Sequence, residues 1–389
     1  MLLAAQHAMH TIQQILQDHF DDLIRSRSLS APQCKAGVAL RKCRTAALGG
    51  HVQRCPNGHI ERVWYNSCRN RACPQCNGLA RERWLQRTQA RLIDCAHWHV
   101  IFTIPHQLNV LWRLNTPAMM DALFAASRDT LLELLADPRY LGARPGMQLA
   151  LHTWTRPLDL HPHIHALVSD GGMADGVWLA PRRSHFLPAK VVMMLFRGKL
   201  LDALRRLHGQ GQLRLPDALS AQRFARLLNR LGRKVKWNVR VCQRYAHGRG
   251  VSLYLARYVK GGPFNNTQIV RASADQVVFR YTPHGEPGAP KRSATLALSP
   301  TNFLARVLTH APESGRHTVR YYGLYAHACG EQLNAARALH SQVPVEPPQP
   351  IEWQAYLARF PRALSAIRCP QCHAPLMRGP LILPARAPP

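Results

Sequence analysis

The sequence predicts a protein of mixed helices and strands, of α/β or α+β class, preceded by a cysteine-rich metal-binding module. Three observations carry that expectation. Helix-like and strand-like segments interleave through the middle of the 389-residue chain, and five of the eleven cysteines fall between Cys43 and Cys76. Lys plus Arg outnumber Asp plus Glu by 51 to 21. Hydrophobic residues make up 46% of the chain, enough to build a core, which excludes a wholly disordered protein.

Residues 1 to 40 have apolar positions at helical spacing and lack the basic flank of a secretion signal, so a cytoplasmic protein is expected. From Cys43 to Asn77 the periodicity is lost. Residues 79–95 form a basic amphipathic helix, and HWHVIFTIPHQL, β-branched, aromatic and ended by proline, forms a strand. A helix is expected over 118–135. Strands follow over 147–154 and 162–169, joined by a turn around Pro157 to His161, and Gly171-Gly172 makes the next turn. Helices come next near 188–207 and 218–232, then a strand over 236–241 and a short helix over 251–260. A strand over 276–281, a helix over 300–309 and an aromatic strand around Tyr321 and Tyr322 complete the core. VPVEPPQP at 343–350 is a proline-rich linker.

These breaks divide the chain into a helical and zinc-binding region (1–95), a central region (96–290), an accessory helix-strand segment (291–342) and a linker with a small cysteine-bearing tail (343–389). No run of eighteen apolar residues exists to span a membrane, and no Walker-type glycine loop to bind a nucleotide.

A net charge of +30 repels itself unless a polyanion neutralises it, and nucleic acid is the usual one. Arginine, whose planar fork suits phosphate oxygens, supplies most of that charge. Cysteines in a chain without an export signal point to metal ligation. Cys55-x-x-x-His59, Cys68 and Cys73-Pro-Gln-Cys76 offer tetrahedral zinc ligands, with Cys55, His59, Cys73 and Cys76 as the expected closed site and Cys68 as the competing ligand. Cys43 with His51 could serve a second ion, and Cys369 with Cys372 another, completed by His373 or by His327 and Cys329. The module's arginines, Arg69 and Arg71 among them, are expected to meet DNA, making it a binding element.

Two constellations carry chemistry. Alternation along His161-Pro-His163-Ile164-His165 sends His163 and His165 to one strand face, a plausible divalent-metal site. Tyr254 and Tyr258, four apart, share one helix face beside Arg257 and Lys260, and each phenol could attack phosphorus.

A histidine-hydrophobic-histidine strand followed about ninety residues later by Tyr-x-x-x-Tyr resembles the HUH endonucleases, and most closely the two-tyrosine rolling-circle transposases of the bacterial insertion-sequence 91 family. The resemblance covers most of the chain in order, through CRTAALGGHVQRC, SCRNRACPQC, HVIFTIPH, LHTWTRPLDLHPHIHALVSDGG, YLARYVK and HTVRYYGLYA. It implies an α+β core with an antiparallel sheet flanked by helices, acting on single-stranded DNA at element ends that bear terminal hairpins. Mg²⁺ or Mn²⁺ held by His163, His165 and a third ligand, His152 or His161, would polarise the phosphate that Tyr254 or Tyr258 attacks. One departure is visible: where relatives typically show Cys-x-x-Cys at the start of the zinc module, this chain has Cys55-Pro-Asn-Gly-His59, and His59 is taken as the substitute ligand. The alternatives are a rolling-circle replication initiator with the same chemistry and a non-catalytic zinc-dependent DNA-binding protein. With 21 acids and no organised triad, a carboxylate-type transposase is discounted.

Overall fold

The computed structural model describes residues 10–181, 186–247, 262–283, 292–360 and 367–385; Tyr254, Arg257, Tyr258 and Lys260 lie outside them. Thr11 caps helix α1 (Ile12–Ser26) in a capping box with Gln14, and Ser30 starts α2 (Ala31–Arg41) with Gln33 in the same way. Their buried faces, including Leu16, Phe20, Leu23 and Leu40, share a core with Phe264, Phe279, Phe303 and the buried Cys43 and Cys73. A Cβ on Gly37 would lie 2.3 Å from the Phe20 ring, so glycine is what lets the two helices close. A hairpin of β1 (Gly50–Arg54) and β2 (Glu61–Tyr65) follows, then α3 (Gly78–Arg91).

The central sheet is built from β3 (His97–Thr103), β4 (Arg144–Trp154), β5 (Leu160–Ala174), β6 (Val177–Leu179), β7 (Asn238–Tyr245) and β11 (Val319–Gly323). Its order is β11-β4-β5-β3-β7, with β6 on β5, and every pairing is antiparallel. That settles the choice of class as α+β, because antiparallel neighbours need no crossover helix. One face, with Val100, Phe102, Leu149, Leu151, Ile164 and Val168, is sealed by the short α4 (Asn109–Leu114), α5 (Thr116–Ala136) and α6 (Ala189–Gly209), and α7 (Ala221–Arg233) packs on α6. The opposite face carries histidines. Its edge packs against Leu92 and Ile93 and against Leu333 and Ala336 of a later helix, Gly330–Leu339.

A second sheet of β8 (Ile269–Ala272), β9 (Val277–Tyr281) and β10 (Ala294–Leu298) supports helix α8 (Pro300–Thr309), which packs on α1. The Gly330–Leu339 helix is α9; α10 (Trp353–Ala358) and β12 (Met377–Ile382) close the described chain. β12 returns to pair with β1, so the last strand completes an N-terminal sheet of order β12-β1-β2. Among the described residues no helix is long and apolar enough to cross a membrane.

One expected turn is corrected. Gly171 and Gly172 lie inside β5, where a Cβ on Gly172 would meet the Arg144 carbonyl oxygen at 2.5 Å. The glycines serve close strand approach. The reversal falls at Asp175-Gly176, both at positive φ (48° and 80°).

Candidate metal centres

The β1–β2 hairpin decides how the cysteines group. Cys43 precedes it and Cys68 follows it, and Arg44 N–H donates to the Asn66 carbonyl at 3.0 Å, so both cysteines sit at its base. Cys55 and His59 sit at its tip, about 17 Å along a five-residue strand from that base. The structure accordingly brings Cys43, Cys68, Cys73 and Cys76 into one cluster, and Cys55, His59, Cys369 and Cys372 into another. The expected closed site of Cys55, His59, Cys73 and Cys76 is therefore split between two clusters. His51, on β1 opposite Trp64, belongs to neither, and Cys369 and Cys372 take Cys55 and His59 as partners, not His373, His327 or Cys329.

Both clusters have zinc dimensions. Zn–S bonds of about 2.3 Å at tetrahedral angles put sulfurs about 3.8 Å apart, and a sulfur and an imidazole nitrogen about 3.6 Å apart. Cys43 and Cys73 sulfurs are 3.6 Å apart, and those of Cys68 and Cys76 3.7 Å. In the second cluster Cys55 lies 3.5 Å from Cys372, and His59 Nδ1 lies 3.6 Å from Cys55 and 3.9 Å from Cys369. Four thiols this close compete for protons: hydrogen bonding from Cys68 pulls Cys43 far below its ordinary value, while the contact with Cys43 drives Cys73 far above it. A divalent cation removes that conflict by taking all four as thiolates.

On the sheet, His152 of β4 stands opposite His163 of β5. Period-two alternation places His165 on the same face, and the three ligand nitrogens lie within 4.8 Å of one another. Burial lowers all three, His163 to about 4 and His152 and His165 well below the ordinary histidine value, so the rings are neutral and offer lone pairs. His163 Nδ1 lies 2.6 Å from the His161 carbonyl; the carbonyl only accepts, so Nδ1 carries the proton and Nε2 the lone pair. Of the two candidate third ligands, His152 joins the cluster and His161 contributes its backbone. His99, which the sequence reading passed over, bonds His165 Nδ1 through Nε2 at 2.8 Å and so orients a ring of the cluster. The signal for it was available: His97 and His99 alternate on β3, the direct neighbour of β5.

His97 is structural. Its Nδ1 donates to the Cys95 carbonyl at 2.9 Å, and its Nε2 accepts from the Tyr325 hydroxyl at 2.6 Å. Burial holds His97 and His310 at about 4 against 6.5 for a free side chain. The unfolded chain therefore binds protons that the fold refuses, so stability present above pH 6.5 falls as pH drops toward 4, by about 2 kcal/mol per group at pH 5. Urea midpoints should fall from pH 7 to pH 5, and fall less steeply in His97→Gln, which is weaker at pH 7.

The chain matches the family described as "Putative transposase" over residues 146–332 and the family described as "Transposase zinc-binding domain" over residues 15–104. It is 36% identical over 360 residues to "Putative transposase y4qJ" of Sinorhizobium fredii (strain NBRC 101917 / NGR234), covering 89% of this chain and 88% of that one. It is 30% identical over 344 residues to "Transposase for insertion sequence element IS801" of Pseudomonas savastanoi pv. phaseolicola, covering 85% and 80%. The chain belongs to the IS91/IS801 family of transposases. No solved structure gives a significant match.

The transposase thus carries a zinc-binding domain, which spans the first sulfur cluster and Cys55 and His59 but stops short of Cys369 and Cys372. The matched transposase region spans the three clustered histidines and both tyrosines. Of the two expected DNA-contacting arginines in the zinc module, Arg69 lines an open cleft. Arg71 donates to the carbonyls of Arg316 and Glu313 at 3.0 and 2.7 Å, bracing the module against the segment before β11. Tyr321 bonds Thr88 at 3.0 Å and Arg320 pairs with Asp121 at 2.5 Å, consistent with a packing strand.

Proposed function

We propose that this transposase nicks and rejoins single-stranded DNA at the ends of its element through tyrosyl phosphodiesters, in a metal-dependent rolling-circle reaction. The observation that supports this most is the cluster of His152, His163 and His165 on one sheet face. Three neutral imidazoles, those of His152, His163 and His165, would hold a divalent cation; nitrogen donors suit Mn²⁺ better than Mg²⁺. When bound, the cation supplies Lewis-acid polarisation of the scissile phosphate. The His161 carbonyl holds His163 in one tautomer, and the bond to His99 orients the His165 ring.

The nucleophile is Tyr254 or Tyr258, with Arg257 and Lys260 favouring the phenolate. Its oxygen bonds to phosphorus, the P–O3′ bond breaks, and the 3′ oxygen leaves as a hydroxyl. The resulting 5′-phosphotyrosine conserves the ester, so a 3′-hydroxyl can reverse the step on another strand without ATP. Two tyrosines permit two transfers, one at each element end.

The test incubates zinc-loaded protein with Mn²⁺ and single-stranded DNA from the flanks of its gene, followed by a denaturing gel. Wild type should give a covalent protein–DNA band that is absent from the Tyr254→Phe/Tyr258→Phe double variant. Bound but unmodified DNA throughout would favour the binding-only alternative.

A further inference from the structure

A cleft of about 950 Å³, apart from the clustered histidines, runs between the zinc module and the C-terminal arm. Trp64 and Tyr65 of β2 line one wall, and Trp353 and Phe360 of the arm line the other. Tyr65, Trp353 and Phe360 are 36, 39 and 45% exposed, a cost in water that core packing does not explain. Interleaved with these rings are Arg44, Arg69, Arg81 and Arg378, and no acidic residue lines the cleft among those described. The Arg44 guanidinium already lies over the Trp64 ring, 5.6 Å from its centroid.

The arm is fixed at two points. The Tyr356 ring lies over Gly78 at the start of α3, where a Cβ would meet its hydroxyl at 2.0 Å. Beyond α10, Cys369 and Cys372 join Cys55 and His59, which anchors β12 and Arg378 beside β1. The cleft is therefore a built feature of two chain ends brought together.

Exposed aromatic rings and guanidinium groups lining one cleft suit a ligand that presents flat π-faces and phosphates together, which is unpaired nucleic acid. A duplex hides its faces in its own stack and would offer the cleft only phosphates. We propose that this cleft seats unpaired DNA bases against Trp353 and Phe360, with the phosphates on the arginines. It rests on the reading that this transposase handles single strands, and it adds a holding site away from the scissile phosphate.

The test measures anisotropy of a labelled 20-nucleotide mixed-sequence strand and of the same sequence as duplex. It uses the zinc-loaded full chain without Mn²⁺, so binding is read whether or not the nicking chemistry is as proposed. Trp353→Ala should weaken single-strand binding about 5- to 150-fold and leave the duplex within about twofold. Trp353→Phe, which keeps a ring, should retain most of the affinity. Unchanged single-strand affinity, an equal loss on duplex, or equal losses in Trp353→Ala and Trp353→Phe would each overturn the proposal.

Discussion

Stripping zinc from the transposase is expected to dismantle the zinc module and the core it shares with α1, α2 and the β8–β10 sheet, while the central sheet survives. Cys43 and Cys73 are buried in the same core as Phe20, Leu40, Phe264 and Phe303, so the first cluster lies inside the fold. A structural zinc of this kind contributes apparent binding energy on the order of 10 kcal/mol at neutral pH, more than a typical domain's whole margin of stability. Cys73→Ser should therefore unfold α1, α2, the hairpin and the β8–β10 sheet together. The second cluster joins residues more than 300 apart at the rim, so Cys372→Ser should free only the tail and release β12 from β1. Zinc release to a colorimetric chelator, read beside melting curves, checks both. The expected counts are two zinc ions per wild-type chain and one in Cys372→Ser with a nearly unchanged principal transition. A single zinc in wild type would contradict the two-cluster arrangement.

Replacing either strand histidine should have the largest effect on chemistry. His163→Ala or His165→Ala removes a ligand from a three-ligand set, and cleavage should fall at least about 10³-fold as transition-state charge stabilisation is lost. DNA binding should persist, because neither substitution touches the cleft arginines Arg44, Arg69, Arg81 and Arg378. His99→Phe leaves the ligands and removes the bond that orients His165, so a loss of about 10- to 100-fold is expected, partly restored by more Mn²⁺. His161→Ala keeps the carbonyl that His163 Nδ1 bonds, so it should cost less than the loss of a ligand. Initial cleavage rates across a Mn²⁺ titration separate these cases. Equal losses in all four variants would indicate general disruption of β5 and not ligand loss.

Long periodic elements were legible in the sequence: the helix expected over 118–135 lies within α5, that over 300–309 coincides with α8, and the strands over 147–154 and 162–169 lie within β4 and β5. What escaped were the short pieces. β1 and β2 carry five residues each, largely polar and part-exposed, so alternation had no apolar contrast to show. The metal groupings escaped for a different reason. Spacing along the chain identifies which residues are ligands, but the hairpin that separates Cys55 and His59 from Cys73 and Cys76, and the strand pairing that returns Cys369 and Cys372 over some 300 residues, are tertiary facts. His163 and His165 were visible because a strand's period is local; His99 needed the β3–β5 register.

The most direct measurement digests the covalent protein–DNA adduct formed with Mn²⁺ and maps the modified peptide by mass spectrometry. Arg257 lies between the two tyrosines, so trypsin puts Tyr254 and Tyr258 on different peptides. A nucleotide 5′-phosphate on one or both of those peptides, absent when His163 is replaced by Ala, is the predicted result. Cleavage with no adduct, or an adduct on any other residue, would contradict the tyrosine mechanism.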